Sequence, residues 1–181
     1  ATQSATRLKK TFRYLVVILV AFILGFITNK PELNAYLDTT RDQVHTITPP
    51  TQAMVAKLNE APLEITVFSN LLDGYFGYFL PQEQNNIISF LFEPYIRFKP
   101  DIKIKFVYYY NTDTSSYYYK INKGKTIKEI AEKEAKSYGL NIKRFLSPDE
   151  VNKMVDTKQE EFRQFFQLKY KDRKAILRTF D

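Results

Sequence analysis

The sequence predicts an α/β protein in which one membrane-spanning helix leads into a small domain built on a mixed four-stranded sheet. Three observations predict it. An uncharged apolar run near the amino end has nearly the length of a bilayer span. Beyond it, strand-like and helix-like segments alternate, and the chain closes on two strand-like runs split by a short turn. Cysteine is absent, which removes disulfides, thiolate nucleophiles, Cys-zinc sites and redox pairs from consideration.

The apolar run "RYLVVILVAFILGFITNK" holds no charge between Arg13 and Lys30. Those 16 residues cover about 24 Å as a helix, short of a hydrocarbon core of about 30 Å. Phe12 extends the run, and Arg13 and Lys30 can snorkel to the interfaces. The anchor is assigned to Tyr14, Leu15, Val16, Val17, Ile18, Leu19, Val20, Ala21, Phe22, Ile23 and Leu24. A cleaved signal peptide would want a small-residue site after the run, and "GFITNKPEL" has none. A helix apolar all round would otherwise need a large protein around it.

Arg7, Lys9, Lys10 and Arg13 supply four positive charges with no acid among the first thirteen residues. The net charge of the chain is +7, so over half of the excess precedes the apolar run. Nucleic-acid binders usually carry their charge on the binding domain. Here it sits where topology signals sit, which predicts a cytoplasmic amino end, a domain on the periplasmic side of the inner membrane, and no nucleic-acid partner. Residues 1–30 are thus basic end and membrane helix, 31–61 stalk and short helix, and 62–181 the soluble domain. The chain starts at Ala1 and stops just after a strand-like run, which reads as the first part of something longer.

Pro31 to Thr46 has no clear period and reads as a stalk. In "ITPPTQAMVAKLN", Thr48 is a cap, Pro49 suits the first turn, and Met54, Val55 and Leu58 mark one face. "LEITVF" (Leu63 to Phe68) alternates and is rich in branched and aromatic residues, so it is a strand. Gly74 and Gly77 then make a loop. Pro81 opens a helix across Gln82 to Phe98 whose apolar face is Ile87, Ile88, Leu91, Tyr95 and Phe98. Pro94 should kink that helix or end it near Glu93. "DIKIKFVYYY" is the clearest strand, with Ile102, Ile104, Phe106 and Tyr108 on one face and Lys103, Lys105, Val107 and Tyr109 on the other. A loop follows, with a short extended piece at Tyr117 to Ile121. Thr126-x-x-Glu129 opens a helix to Tyr138, stopped by Gly139, with Ile127, Ile130, Ala131, Ala135 and Tyr138 as its stripe. Ser147-Pro148-Asp149-Glu150 opens another through about Lys158. Phe165 to Tyr170 and Lys174 to Phe180 read as a hairpin turning near Lys171-Asp172. A β–α–β unit followed by a hairpin is a thioredoxin-like arrangement, here without thiols where a redox motif would stand.

Leu37-Asp38-x-Thr40-x-Asp42, then Thr46-Ile47-Thr48-Pro49, then "PLEITVFSN" after the short helix, resembles the Gldg family. "QLKYKDRKAIL" is similar to that family's strand pair. His45 takes the place of the pattern's aromatic residue. Members are auxiliary components of bacterial ABC transporters, the gliding-motility component of Bacteroidota being the namesake. The resemblance implies partnership with an ABC-2-type permease and a separate ATPase, assembly within that complex, a second domain and carboxy-terminal membrane helix beyond this sequence, and no catalytic residue or cofactor. A membrane-tethered periplasmic module that binds carbohydrate or peptide is the rival reading.

Other chemistry is thin. Gly124-Lys125-Thr126 echoes the end of a phosphate-binding loop, but Tyr119 stands where the first glycine belongs. His45 is the single histidine, too little for a zinc or triad site. Asp38, Asp42 and Asp73 are scattered loop carboxylates. Lysine alternates with aromatics at 103–109 as in an RNA-binding strand, a reading at odds with the expected compartment. The loop carrying Tyr75, Phe76, Tyr78 and Phe79 has two readings: rings that complete the core, or an exposed patch for a partner.

Overall fold

The computed structural model describes residues 2–28, 39 and 46–178, with side chains from Lys9 onward. The chain divides into two compact units, 1–46 and 47–181. Arg7 as a side chain, Lys30, Leu37, Asp38, Thr40, Asp42 and His45 lie outside the described residues, as does the final stretch at Phe180.

In the first unit, helix α1 runs from Thr2 to Thr28. It begins well before the apolar run and carries Lys9, Lys10 and Arg13 as exposed side chains. The part from Lys9 to Thr28 is long and apolar enough to cross a membrane, since its 20 residues rise about 30 Å. The Thr28 hydroxyl donates back to the Leu24 carbonyl at 2.9 Å.

The second unit opens with α2 (Pro49–Ala56). Thr48 stands at the cap position without capping, because Pro49 and Pro50 follow it and its hydroxyl bonds that of Thr51 at 2.9 Å. The expected apolar face of α2 stays largely open: Met54 is exposed and Val55 half-buried. Strand β1 (Leu63–Asn70) extends two residues beyond the expected end, because Ser69 and Asn70 pair with Tyr108 and Tyr109 of β2 (Lys103–Tyr109). β3 (Phe165–Tyr170) and β4 (Arg173–Arg178) form the hairpin. The sheet order is β2-β1-β3-β4, with β1 and β2 parallel and the β1–β3 and β3–β4 pairs antiparallel. This is the expected mixed four-stranded α/β sheet. Lys171 adopts φ 54° in the hairpin turn, the left-handed conformation that tight hairpins require.

The segment between β1 and β2 departs most from expectation. In place of one α-helix, α3 (Gln84–Ile87) passes into a π-helical turn (Ile88–Phe92) and then α4 (Glu93–Ile96). Of the two outcomes expected at Pro94, a kink or an end near Glu93, the end is not seen, because α4 carries the run through Pro94 to Ile96. Pro94 has no N–H to offer the α ladder, and the chain widens just before it, so that Glu93 N–H reaches Ile88 O five residues back. The inserted residue moves the buried face by one position. Phe92, Ile96 and Lys99 turn inward, Leu91 keeps a half-buried place against the core, and the expected Tyr95 and Phe98 are exposed.

On β2 the burial also changes sides. Ile104, Phe106 and Tyr108 are half-buried, while Val107 and Tyr109 on the opposite face are fully buried. Val107 and Tyr109 pack with Phe68, Phe165 and Val151. Val151 belongs to α7 (Pro148–Asn152), which is shorter than expected. The Asn152 carboxamide accepts the Thr157 hydroxyl at 2.7 Å and turns the chain back. The Tyr117 to Ile121 piece is a short helix, α5, instead of an extended segment. The burial of Tyr118 and Tyr119 against Leu71, Phe76 and Ile130 outweighs the strand preference of a tyrosine triplet. Helix α6 (Ile127–Ser137) agrees with its sequence signals: Thr126 and Glu129 form a reciprocal cap, Gly139 sits at φ 67° after it, and Ile130, Ala131 and Ala135 are buried.

Candidate functional site

The two loops leaving the carboxyl ends of β1 and β2, with the segment entering β3 as a third beside them, occupy the usual place for function on a sheet with parallel strands. Beneath them lies a buried polar frame. Asn70, fully buried at the end of β1, donates to the carbonyls of Asn111 and Phe162 and accepts from the N–H groups of Leu72 and Asn111. The Asn111 carboxamide donates to Thr157 Oγ1 at 2.8 Å. Tyr109 donates its hydroxyl to the Arg163 carbonyl at 3.0 Å, and burial pushes that phenol far above its ordinary pKa. Asp73 accepts from Tyr75 N–H at 3.1 Å and Gln164 N–H at 2.8 Å. One carboxylate thus ties the aromatic loop to the segment that enters β3.

The aromatic loop divides between the two readings. Phe76 is fully buried, edge-on to Tyr138 at 5.2 Å and tilted on Phe145 at 6.0 Å. Phe79 is buried against Phe166, with ring centroids 6.4 Å apart. Tyr75 and Tyr78 are exposed and lie 6.5 Å apart. The 3-10 turn Phe76–Phe79 produces this division, since three residues per turn bring Phe76 and Phe79 to the same side.

Tyr78 and Phe79 also line a groove of about 430 Å3 whose other walls are Glu83, Asn86, Ile87, Phe90 and Leu91. Its floor is Phe79, Ile87 and Leu91. Its two walls stand in solvent, Tyr78 at 72% and Phe90 at 82% exposure. Phe90 is presented there by the π turn. One polar rim is held by Asn86, which donates to Glu83. Leu91 also borders a second apolar hollow of about 310 Å3, lined by residues that include Leu63, Ile65, Phe92, Phe166 and Leu177. The sequence reading missed Phe90. The signal was Pro94, four residues further on in a helical pattern, where an inserted residue turns a ring outward.

The remaining sequence candidates fall elsewhere. Gly124 and Lys125 belong to a turn, and the Thr126 hydroxyl is occupied in capping α6 through Glu129. The Glu129 carboxyl is held below the usual range by those cap bonds. Asp73 is committed to loop anchoring, as above. Among the described residues no group of three or more His, Cys, Asp or Glu side chains converges to hold a metal. The groove offers two open aromatic faces, an apolar floor and one amide-carboxylate pair, groups suited to binding. Comparison of the chain with family models, with curated proteins and with solved structures finds no match in any of the three.

Proposed function

We propose that this chain is a non-catalytic, membrane-anchored auxiliary subunit of a bacterial ABC transporter, with its domain on the periplasmic side docking a partner subunit through the groove between Tyr78 and Phe90. The observation that carries the reading is the groove itself. Two large rings left in water above an apolar floor cost free energy in an isolated domain, and such patches mark interaction surfaces. An apolar helix on the same chain supports membrane attachment. The strand order and directions support a thioredoxin-like domain without its redox chemistry. The Gldg-like wording of Leu37 to Asn70 supports an ABC-2-type permease and an ATPase as partners.

The test is co-purification of the tagged chain from mild detergent after crosslinking. A permease and an ATPase should come down with the native chain, and the double substitution Tyr78→Ala, Phe90→Ala should lose them while the melting temperature is kept. Repeated recovery of the chain alone would reject the reading. One feature favours the rival: aromatic walls beside the Asn86–Glu83 pair also suit a carbohydrate or peptide ligand. A ligand-dependent rise in melting temperature that Tyr78→Ala abolishes would select that module instead.

A further inference from the structure

The two faces of the sheet are finished differently. One face is covered by the α3–α4 segment, with Ile65, Val67, Phe166 and Leu168 beneath it. The other is covered only toward the carboxyl end of β1, where Val151 of α7 sits on Phe68, Val107, Tyr109 and Phe165. Its remaining half is open. The pairing register fixes what stands there, because directly paired residues share a face. One row across the four strands reads Lys103, Glu64, Lys169, Lys174, and the next reads Lys105, Thr66, Gln167, Ile176.

Lys103, Lys105 and Lys174 are exposed, and Ile176 stands at 39% exposure among them. Glu64 is the one acid in the two rows and pairs with Lys169 at 3.4 Å, both side chains about half in water. Four lysines therefore face one glutamate on the uncovered half of this sheet face. Lys169 and Lys174 are direct cross-strand partners. Like charges so placed oppose strand pairing, so this pair works against the stability of the hairpin. A local conflict of that kind marks a surface shaped for something other than stability.

We propose that this open half-face is a docking surface for anionic phospholipid headgroups. The occupant follows from charge and from attachment. A row of lysine ammoniums on one sheet face complements the phosphates of a membrane surface, each cation near an anionic membrane contributing separately. Ile176 supplies an apolar side chain that can enter the interface. The same chain carries a helix able to cross a bilayer. Residues 29–46 span at most about 60 Å, so lipid phosphate is the anion present at high effective concentration. The proposal rests on the membrane-anchor part of the reading above and not on the transporter partners.

The full chain is reconstituted into nanodiscs of phosphatidylcholine and into discs with about one-third phosphatidylglycerol, and lysine acylation is read by mass spectrometry. In the anionic discs, Lys103, Lys105, Lys169 and Lys174 should react about fivefold more slowly than in neutral discs. Lys128 and Lys136 on α6 serve as unchanged references. The protection should vanish near 1 M salt, where screening reaches about 3 Å. It should also be lost for Lys169 in the variant Lys103→Glu, Lys105→Glu, Lys174→Glu, whose unchanged melting temperature shows that it folds.

Equal reactivity in the two discs overturns the proposal. Protection in neutral discs as strong as in anionic ones also overturns it and indicates a protein contact. Salt-sensitive protection by a single-stranded RNA oligonucleotide, with none from anionic lipid, overturns it in favour of nucleic acid. A chain that fails to enter either disc overturns the anchor reading and this proposal together, which separates that failure from the others.

Discussion

Asn70 and Asn111 clasp each other across the ends of the parallel strands: the Asn70 carboxamide donates to the Asn111 carbonyl at 2.7 Å and accepts the Asn111 N–H at 3.1 Å. Asn70 is completely buried, and the same side chain also serves Leu72 N–H and the Phe162 carbonyl. Asn70→Ala leaves four main-chain groups without this partner. The expected loss of unfolding free energy is about 2–4 kcal/mol, since stranded buried polar groups cost about 1–3 kcal/mol each and relaxation recovers part. Urea denaturation of the variant checks it, and a loss below 1 kcal/mol would mean that the three loops do not depend on this clasp.

The π turn makes neighbouring phenylalanines unequal. Phe92 is buried beside Phe166, with ring centroids 5.5 Å apart, whereas Phe90 is exposed. Phe92→Ala should cost about 3–5 kcal/mol by creating a cavity. Phe90→Ala should stay within about 0.5 kcal/mol, as surface substitutions do. Chemical denaturation of the two variants is decisive, because an unbroken α-helix would not reproduce this ranking.

Lys99 is nearly buried and holds the lead-in to β1. Its ammonium donates to the carbonyls of Leu58 and Ala61, pairs with Asp101 at 2.8 Å, and lies 5.9 Å from the Tyr170 ring centre. Lys99→Met keeps the chain length and removes every polar contact. Carbonyls released at the surface recover water, so the expected cost is about 1–3 kcal/mol. Limited proteolysis between Lys57 and Pro62 should accelerate in the variant, and an unchanged digestion rate would reject the clamp.

Two reciprocal caps give the domain an acid limb. Glu129 and Glu150 both have pKa values lowered from the usual 4.5, chiefly by the backbone N–H groups of Thr126 and Ser147. A lowered folded-state pKa means stability that is present above about pH 4.5 and lost as the pH falls through the folded value. Glu129→Gln with Glu150→Gln keeps hydrogen-bonding capacity but cannot titrate there. The double variant should lose less melting temperature between pH 5 and pH 3 than the native chain, as measured by circular dichroism. An unchanged slope would assign the acid limb to other carboxylates.

Much of the fold was legible because it is written in local patterns. The alternation from Leu63 and from Lys103, the Thr126–Glu129 and Ser147–Glu150 caps, the Gly139 stop and the terminal hairpin each depend on neighbours a few residues apart. The candidate groove was half legible. Tyr78 and Phe79 were singled out as part of an unusual aromatic loop, but their roles separated only when the 3-10 turn sent Phe79 into the core and Tyr78 into solvent. Phe90 was missed, because its exposure depends on one inserted residue in the helical ladder ahead of Pro94.

The sequence by itself determined the four strands, the capped helix α6, the missing thiol chemistry and the presence of a helix long and apolar enough to span a bilayer, since period, caps and hydropathy act within a turn or a strand. The tertiary structure alone decided which face of each element meets which partner. Lys103, Glu64, Lys169 and Lys174 form one row only through a register that pairs residues as far apart in the chain as Glu64 and Lys169, and no local pattern encodes that distance.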